Sequence, residues 1–221
     1  MDFRLVYRGP LASDGDARQK HAIRKQFHPQ LAELWKTHPL LRKQTTEDIR
    51  LYTTPSNMVS EPGPNVPQIM RAGTHHKGKP WVQHLGDKFK RGNYRFAPLV
   101  LTGQVVCSLE ILFLRRENPG NIVRTKKGGD IDNRLKTLLD ALQMAESGQL
   151  ERSRFPNPEA HEDPFFCLLQ NDSDIAELKV TTDRLLVPPT EGGHIDDVEL
   201  VIYVKTKAIN TDALFIEAHI L

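Results

Sequence analysis

The stretch that most constrains this chain is GGDIDNRLKTLLDALQ, residues 128–143. Ile131, Leu135, Leu138, Leu139 and Leu142 fall at i, i+4, i+7, i+8 and i+11. That period predicts a helix over about 131–145 with one buried stripe. On another face Asp132, Lys136 and Asp140 recur every fourth residue, a row that suits solvated i,i+4 ion pairs. The acidic DxDN at the start has two readings. Asp and Asn cap helices, but two carboxylates joined by a third also make a seat for a divalent cation. Within one helix Asp130 and Asp132 would diverge by about 200°. They converge only if Asp130 lies outside the helix and Asp132 in its first turn. Gly128-Gly129 makes that approach easy, and the helix N-terminus favours negative charge. Mg²⁺ wants oxygen ligands and keeps several waters, so two or three carboxylates suffice. An EF-hand is excluded, because Leu135 stands where that loop needs glycine and Ala141 where it needs glutamate.

Around this helix the apolar strings set the element order. FRLVYR (residues 3–8) alternates as a first strand, ended by Gly9-Pro10. Ala22, Ile23, Phe27, Leu31, Leu34 and Trp35 have helical spacing over about 16–35, with Pro29 expected to kink or divide that helix. Residues 53–80 read as a long loop, since eight of the 26 residues from Pro55 to Pro80 are Pro or Gly. Residues 99–101, 104–115, 165–170, 175–186 and 198–205 read as strands. Residues 146–164 have loop composition and suggest an insertion. The expected class is α/β or α+β: a mixed β-sheet packed against a few helices, with long loop insertions. One domain over 1–221 is expected, its core about 95–207, with a divergent N-terminal part over 1–94.

Charge divides at the same motif. Residues 1–129 hold 22 Lys+Arg against 10 Asp+Glu, and residues 130–221 hold 8 against 18. A basic half joined to an acidic half suggests a polyanion-binding surface beside a carboxylate-rich site. The segment HHKGKPWVQHLGDKFKRGNYR adds Trp81, Phe89 and Tyr94 to Lys88, Lys90 and Arg91. Cations neutralise phosphates and rings stack on unpaired bases, so this segment is a candidate nucleic-acid arm. Cys107 and Cys167 lie in apolar strings and read as buried, reduced thiols. There is no run of about 18 apolar residues, and MDFRLVYRG lacks a signal-peptide layout. A cytoplasmic protein with no membrane span is expected.

A further polar knot, Asn171-Asp172-Ser173-Asp174, stands between two apolar runs and reads as an Asx-type turn into a strand. DxDNxxK at a helix start, LLDAL after it, and then this acidic turn resemble the RusA family of Holliday junction resolvases over roughly 105–186. The resemblance implies a RusA-like fold and a homodimer that cuts four-way DNA junctions symmetrically. The cofactor it implies is Mg²⁺, with Mn²⁺ as a substitute. It makes Asp130, Asp132 and Asp172 the metal ligands, with Asp174 the alternative third, and Lys136 the cation beside the scissile phosphate. Asn133 and Asp140 fit the same pattern. Arg115, Arg116, Arg124, Lys126 and Lys127 lead into the site and would hold phosphates. Two rival readings stand beside it. One is a PD-(D/E)xK nuclease using Glu177 and Lys179, with Asp163 or Asp172 upstream. The other is a non-catalytic nucleic-acid-binding protein whose aspartates only cap the helix.

Overall fold

The computed structural model describes residues 1–39, 41–43, 78–116, 131–186 and 197–209. Its strands are β1 (Asp2–Pro10), β2 (Lys90–Arg91), β3 (Tyr94–Val100), β4 (Val105–Arg115), β5 (Phe165–Leu169), β6 (Ile175–Arg184) and β7 (Asp197–Ala208). The helices are α1 (Ala17–Thr37), α2 (Trp81–Lys88), α3 (Ile131–Leu142) and α4 (Ser147–Arg152), with single 3₁₀ turns at 41–43, 160–162 and 172–174. The class is α+β: two sheets packed with a few helices around one apolar core. Of the loop predicted over 53–80, residues 53–77 lie outside the described residues.

The four-stranded sheet has the order β1-β7-β4-β6. β7 is antiparallel to both β1 and β4, whereas β6 runs parallel to β4. On β4 the period-two pattern sends Val105, Cys107, Leu109, Ile111, Phe113 and Arg115 to the buried face. Leu200, Ile202 and Val204 of β7 join them. The smaller sheet pairs β2 with β3 antiparallel and β3 with β5 parallel. Cys107 and Cys167 are both free and buried, and burial pushes the Cys107 thiol up to about 12.

The two edges of the large sheet are finished differently. At β1, Gln30 of α1 behaves as a neighbouring strand would: its Oε1 accepts from Val6 N–H at 2.9 Å and its Nε2 donates to Val6 O at 2.7 Å. At β6, among the described residues, no strand pairs with the outer edge. Most of β6 is exposed, including Leu178 at 41%.

Helix α1 is capped by Asp16, which accepts from Gln19 N–H at 2.8 Å. The helix runs undivided through Pro29. A proline removes one helical N–H, yet Phe27, His28, Leu31 and Trp35 are buried on both sides of it, and that packing holds the helix across the gap. The side chain of Gln30 donates to Gln26 O at 3.0 Å in the same turns.

The predicted insertion at 146–164 is folded onto α1. Lys25 pairs with Glu159 and, at 3.1 Å, with the buried Glu162. His28 Nδ1 accepts from Phe166 N–H at 2.9 Å while Nε2 faces His161 O at 3.0 Å, so the ring carries its proton on Nε2. His21 is fully buried, stacked on Phe155 and hydrogen-bonded to Tyr94 Oη at 3.3 Å. Burial lowers His21 from 6.5 to about 4, with the Arg24 guanidinium adding to the shift. It also lowers His28.

His21 is neutral when folded and takes up a proton on unfolding below its unfolded value. Its contribution is complete above about pH 6.5 and is lost as pH falls from 6.5 towards 4, and the lowered His28 acts in the same direction. For His21 it is on the order of 3 kcal/mol. The melting temperature should therefore hold steady above neutrality and drop through this window. His21→Phe, followed by scanning calorimetry at each pH, should flatten the decline.

Candidate functional site

Helix α3 carries the centre of the candidate site. Its buried stripe is Ile131, Leu138, Ala141 and Leu142, with Leu135 and Leu139 packed at the margin. Asp132, Asn133 and Lys136 are exposed. Asp132 Oδ1 accepts from the N–H of Asn133 at 2.9 Å. The third member of the row is half-buried: Asp140 forms a 2.6 Å ion pair with Lys20 of α1. Thus the row divides, with its first two side chains facing solvent and its last holding two helices together.

The helix is placed closely by the chain before α1. Gly15 N–H donates to Thr137 Oγ1 at 3.2 Å. A Cβ on Gly15 would meet Thr137 Cγ2 at 2.4 Å, so only glycine lets this loop cross α3 without a shift. At the other end, buried Arg24 donates from Nε to Gln143 O at 3.0 Å and from Nη2 to Asp140 O and Gln149 Oε1. These carbonyls belong to the last turn and the residue beyond it, where a helix has no partner of its own to offer.

The 3₁₀ turn 172–174 connects β5 to β6, as the polar knot predicted. Asn171 caps it, accepting from Ser173 N–H at 2.9 Å. Asp174 is buried: its Oδ2 accepts from Thr102 Oγ1 at 2.8 Å and from Asn171 N–H at 3.2 Å. That carboxylate is a structural tie between the turn and the β3–β4 connection. Asp172 is exposed, and its N–H donates to Gln143 Oε1 at 3.1 Å. Asp172 therefore stands beside the last turn of α3 and Asp132 in the first, separated by ~16 Å of helix axis. Asp130, Arg124, Lys126 and Lys127 lie outside the described residues. Among the described residues, no three His, Cys, Asp or Glu side chains group as a metal site. The one carboxylate described at the α3 start is that of Asp132, a hard oxygen donor of the kind Mg²⁺ takes.

The cations expected to hold phosphates fall into different surroundings. Arg115 is only 1% exposed, because its place in the β4 alternation turns it to the core face beside Phe113. It is no surface phosphate contact in this arrangement. Arg116 is half-buried, and Lys88 and Lys90 are exposed. Arg91 lies 4.0 Å from Glu146, which ties its hairpin to the segment after α3. The aromatic arm is also altered: Phe89 and Tyr94 are buried core residues, and Tyr94 Oη is hydrogen-bonded to the 155–157 segment. Trp81 is half-buried and stacks on His84 at 4.9 Å. Stacking on bases is left to no more than this one ring of the three.

The rival ExK element does sit on a strand, β6. Lys179 is paired with Glu110 at 2.6 Å, and Asp163 with Arg95 at 3.4 Å. Arg134 is a buried residue that sequence reasoning passed over. Its position beside Leu138 on the helical wheel was the available signal. Compared with protein-family models, with curated proteins and with solved structures, the chain matches none. No helix among the described residues is long and apolar enough to cross a membrane.

The two acidic positions of the turn should separate in a stability assay. Asp174→Ala removes the acceptor for two groups and should cost about 1–3 kcal/mol by urea denaturation. Asp172→Asn should stay within about 0.5 kcal/mol of wild type, as for an exposed side chain without such ties.

Proposed function

We propose that the chain is a Mg²⁺-dependent, structure-selective DNA endonuclease of RusA-like fold that cuts four-way junctions symmetrically. The observation that carries this reading is the solvent-facing Asp132 and Lys136 on successive turns at the start of α3, directly after Asp130. Asp132 in the first turn and an ammonium one turn on supply opposite charges on one exposed face, to which Asp130 would add a second carboxylate. Asp130 and Asp132 would hold the cation, which when bound supplies Lewis acidity and an activated water. Lys136 would stabilise charge that builds on the phosphate oxygens during hydrolysis.

The carboxylate Asp172 is the member of the proposed set that lies farthest from the helix start. Mg²⁺ retains several waters, so a seat of Asp130 and Asp132 is chemically sufficient without it. The strongly basic balance of residues 1–129 suits a polyanionic substrate. Cleavage of both strands at a four-way junction calls for two sites about a two-fold axis, hence a homodimer.

The test is cleavage of a synthetic four-way junction by the purified chain. Product should form with Mg²⁺ or Mn²⁺ and disappear in EDTA. Asp132→Asn and Lys136→Ala should each lower the rate roughly 100-fold or more, while Glu177→Gln should leave it unchanged. Asp172→Asn separates a three-carboxylate site, which would lose activity, from a two-carboxylate one, which would keep it. Junction binding that ignores EDTA, with no cleavage by wild type, would sink the nuclease reading in favour of a binding protein. Loss of activity in the Glu177 variant alone would transfer it to the ExK element.

A further inference from the structure

Among the described residues no strand lies beside the outer edge of β6, and the pattern of that edge fits a second copy of itself. We propose that two chains pair antiparallel through β6, with the two-fold axis at Thr181, joining two four-stranded sheets into one continuous sheet. The proposal deepens the homodimer of the preceding subsection and rests on it for copy number, but the interface follows from the strand.

Leu185 donates to Arg115 O on β4. Alternation back along the strand then turns the N–H and C=O groups of Arg184, Thr182, Val180 and Leu178 away from β4, towards the open edge. The register with β4 assigns faces. Leu178 sits opposite buried Leu109 and Val180 opposite buried Ile111, so both lie on the core face. Lys179, Thr181 and Asp183 lie on the opposite, outer face, opposite Glu110, Leu112 and Leu114.

Antiparallel pairing about Thr181 places Lys179 opposite Asp183 of the second copy, twice by symmetry. On the core face it places Val180 opposite Thr182, and Leu178 opposite Arg184, whose methylenes would cover the exposed leucine. The outward backbone groups are then matched in up to about eight hydrogen bonds. Asp183 Oδ1 now accepts from Arg184 N–H at 2.7 Å, and in the pair it would exchange that contact for Lys179, which already holds Glu110 at 2.6 Å and would bridge the two carboxylates.

The two registers next towards the N-terminal end of the strand fail on charge. An axis at Val180 sets Glu177 against Asp183, and an axis at Lys179 sets the two lysines face to face; like charges directly opposite are destabilising. An axis at Leu178 pairs Glu177 with Lys179, but it uses the irregular part of the strand, where the β4 register shifts between Cys107 and Ser108 and passes over Ala176. A lone edge lysine ordinarily discourages pairing. Here its spacing from Asp183 makes the edge complementary to itself.

The decisive experiment needs neither DNA nor metal, so its failure is separate from failure of the nuclease reading. Sedimentation should show twice the chain mass at micromolar concentration. Asp183→Lys should raise the dimer dissociation constant roughly 10-fold or more, and adding Lys179→Glu to it should restore much of the loss. Thr181→Cys places two sulfurs at a non-hydrogen-bonded pair, about 4.5 Å apart at Cα, which a disulfide can span. Since both native cysteines are buried, copper–phenanthroline oxidation should give a covalent dimer from Thr181→Cys and not from Leu178→Cys. A wild-type monomer at micromolar concentration, or cross-linking at 178 in place of 181, would overturn the proposal. Circular dichroism of each variant shows that it has folded.

Discussion

The buried guanidinium of Arg24 is the contact on which the arrangement around helix α3 depends. It reaches from the middle of α1 to two carbonyls at the end of α3 and to Gln149 of α4, so one side chain ties three helices. A helix end inside a protein needs donors for its last carbonyls, and here a neighbouring helix provides them. With Gly15 crossing close at Thr137 and Lys20 holding Asp140, the helix has contacts with the α1 region at its middle and its end. In its first turn Ile131 and Arg134 are buried while Asp132 faces away from them. The exposed Asp132 and Lys136 are thus borne on a well-seated helix while remaining open to solvent, as the proposed site would require to meet a large substrate.

Most of the fold was legible because its strands obey simple periods. The alternation in β4 and the apolar run in β7 can be buried only one way, and both strands were found within a residue or a few of the expected ends. The helix at α3 was equally plain from its leucines. What was not legible depended on contacts distant in sequence. Pro29 would have broken an isolated helix, but the packing of Phe27, Leu31 and Trp35 outweighs one absent hydrogen bond. Residues 146–164 look like a loop because their partners, Lys25 and His28, lie on α1, far back in the chain.

The candidate site was legible in part, and the parts differ for physical reasons. Exposure of Asp132 and Lys136 follows from the helical wheel once the leucine stripe is assigned. The fate of Asp174 does not, because a carboxylate in a turn can face water or a neighbouring hydroxyl, and Thr102 decided it. Arg115 could have been placed by continuing the β4 alternation by one step. Its charge, read as a mark of the surface, concealed its parity. Phe89 and Tyr94 show the same bias in reverse: rings among lysines suggested a binding arm, whereas they anchor the β2–β3 hairpin to the core.

Gln30 has a consequence for the size of assembly this sheet can enter. Its amide occupies the N–H and C=O of Val6, at the middle of β1, with the geometry another strand would use. A chain with two open edges on one sheet could add copies without end. With those groups taken, the β1 edge is obstructed at its middle, and the symmetric contact proposed for β6 would use the opposite edge of the sheet. A glutamine on a helix would thereby favour a closed pair over a fibre in that arrangement.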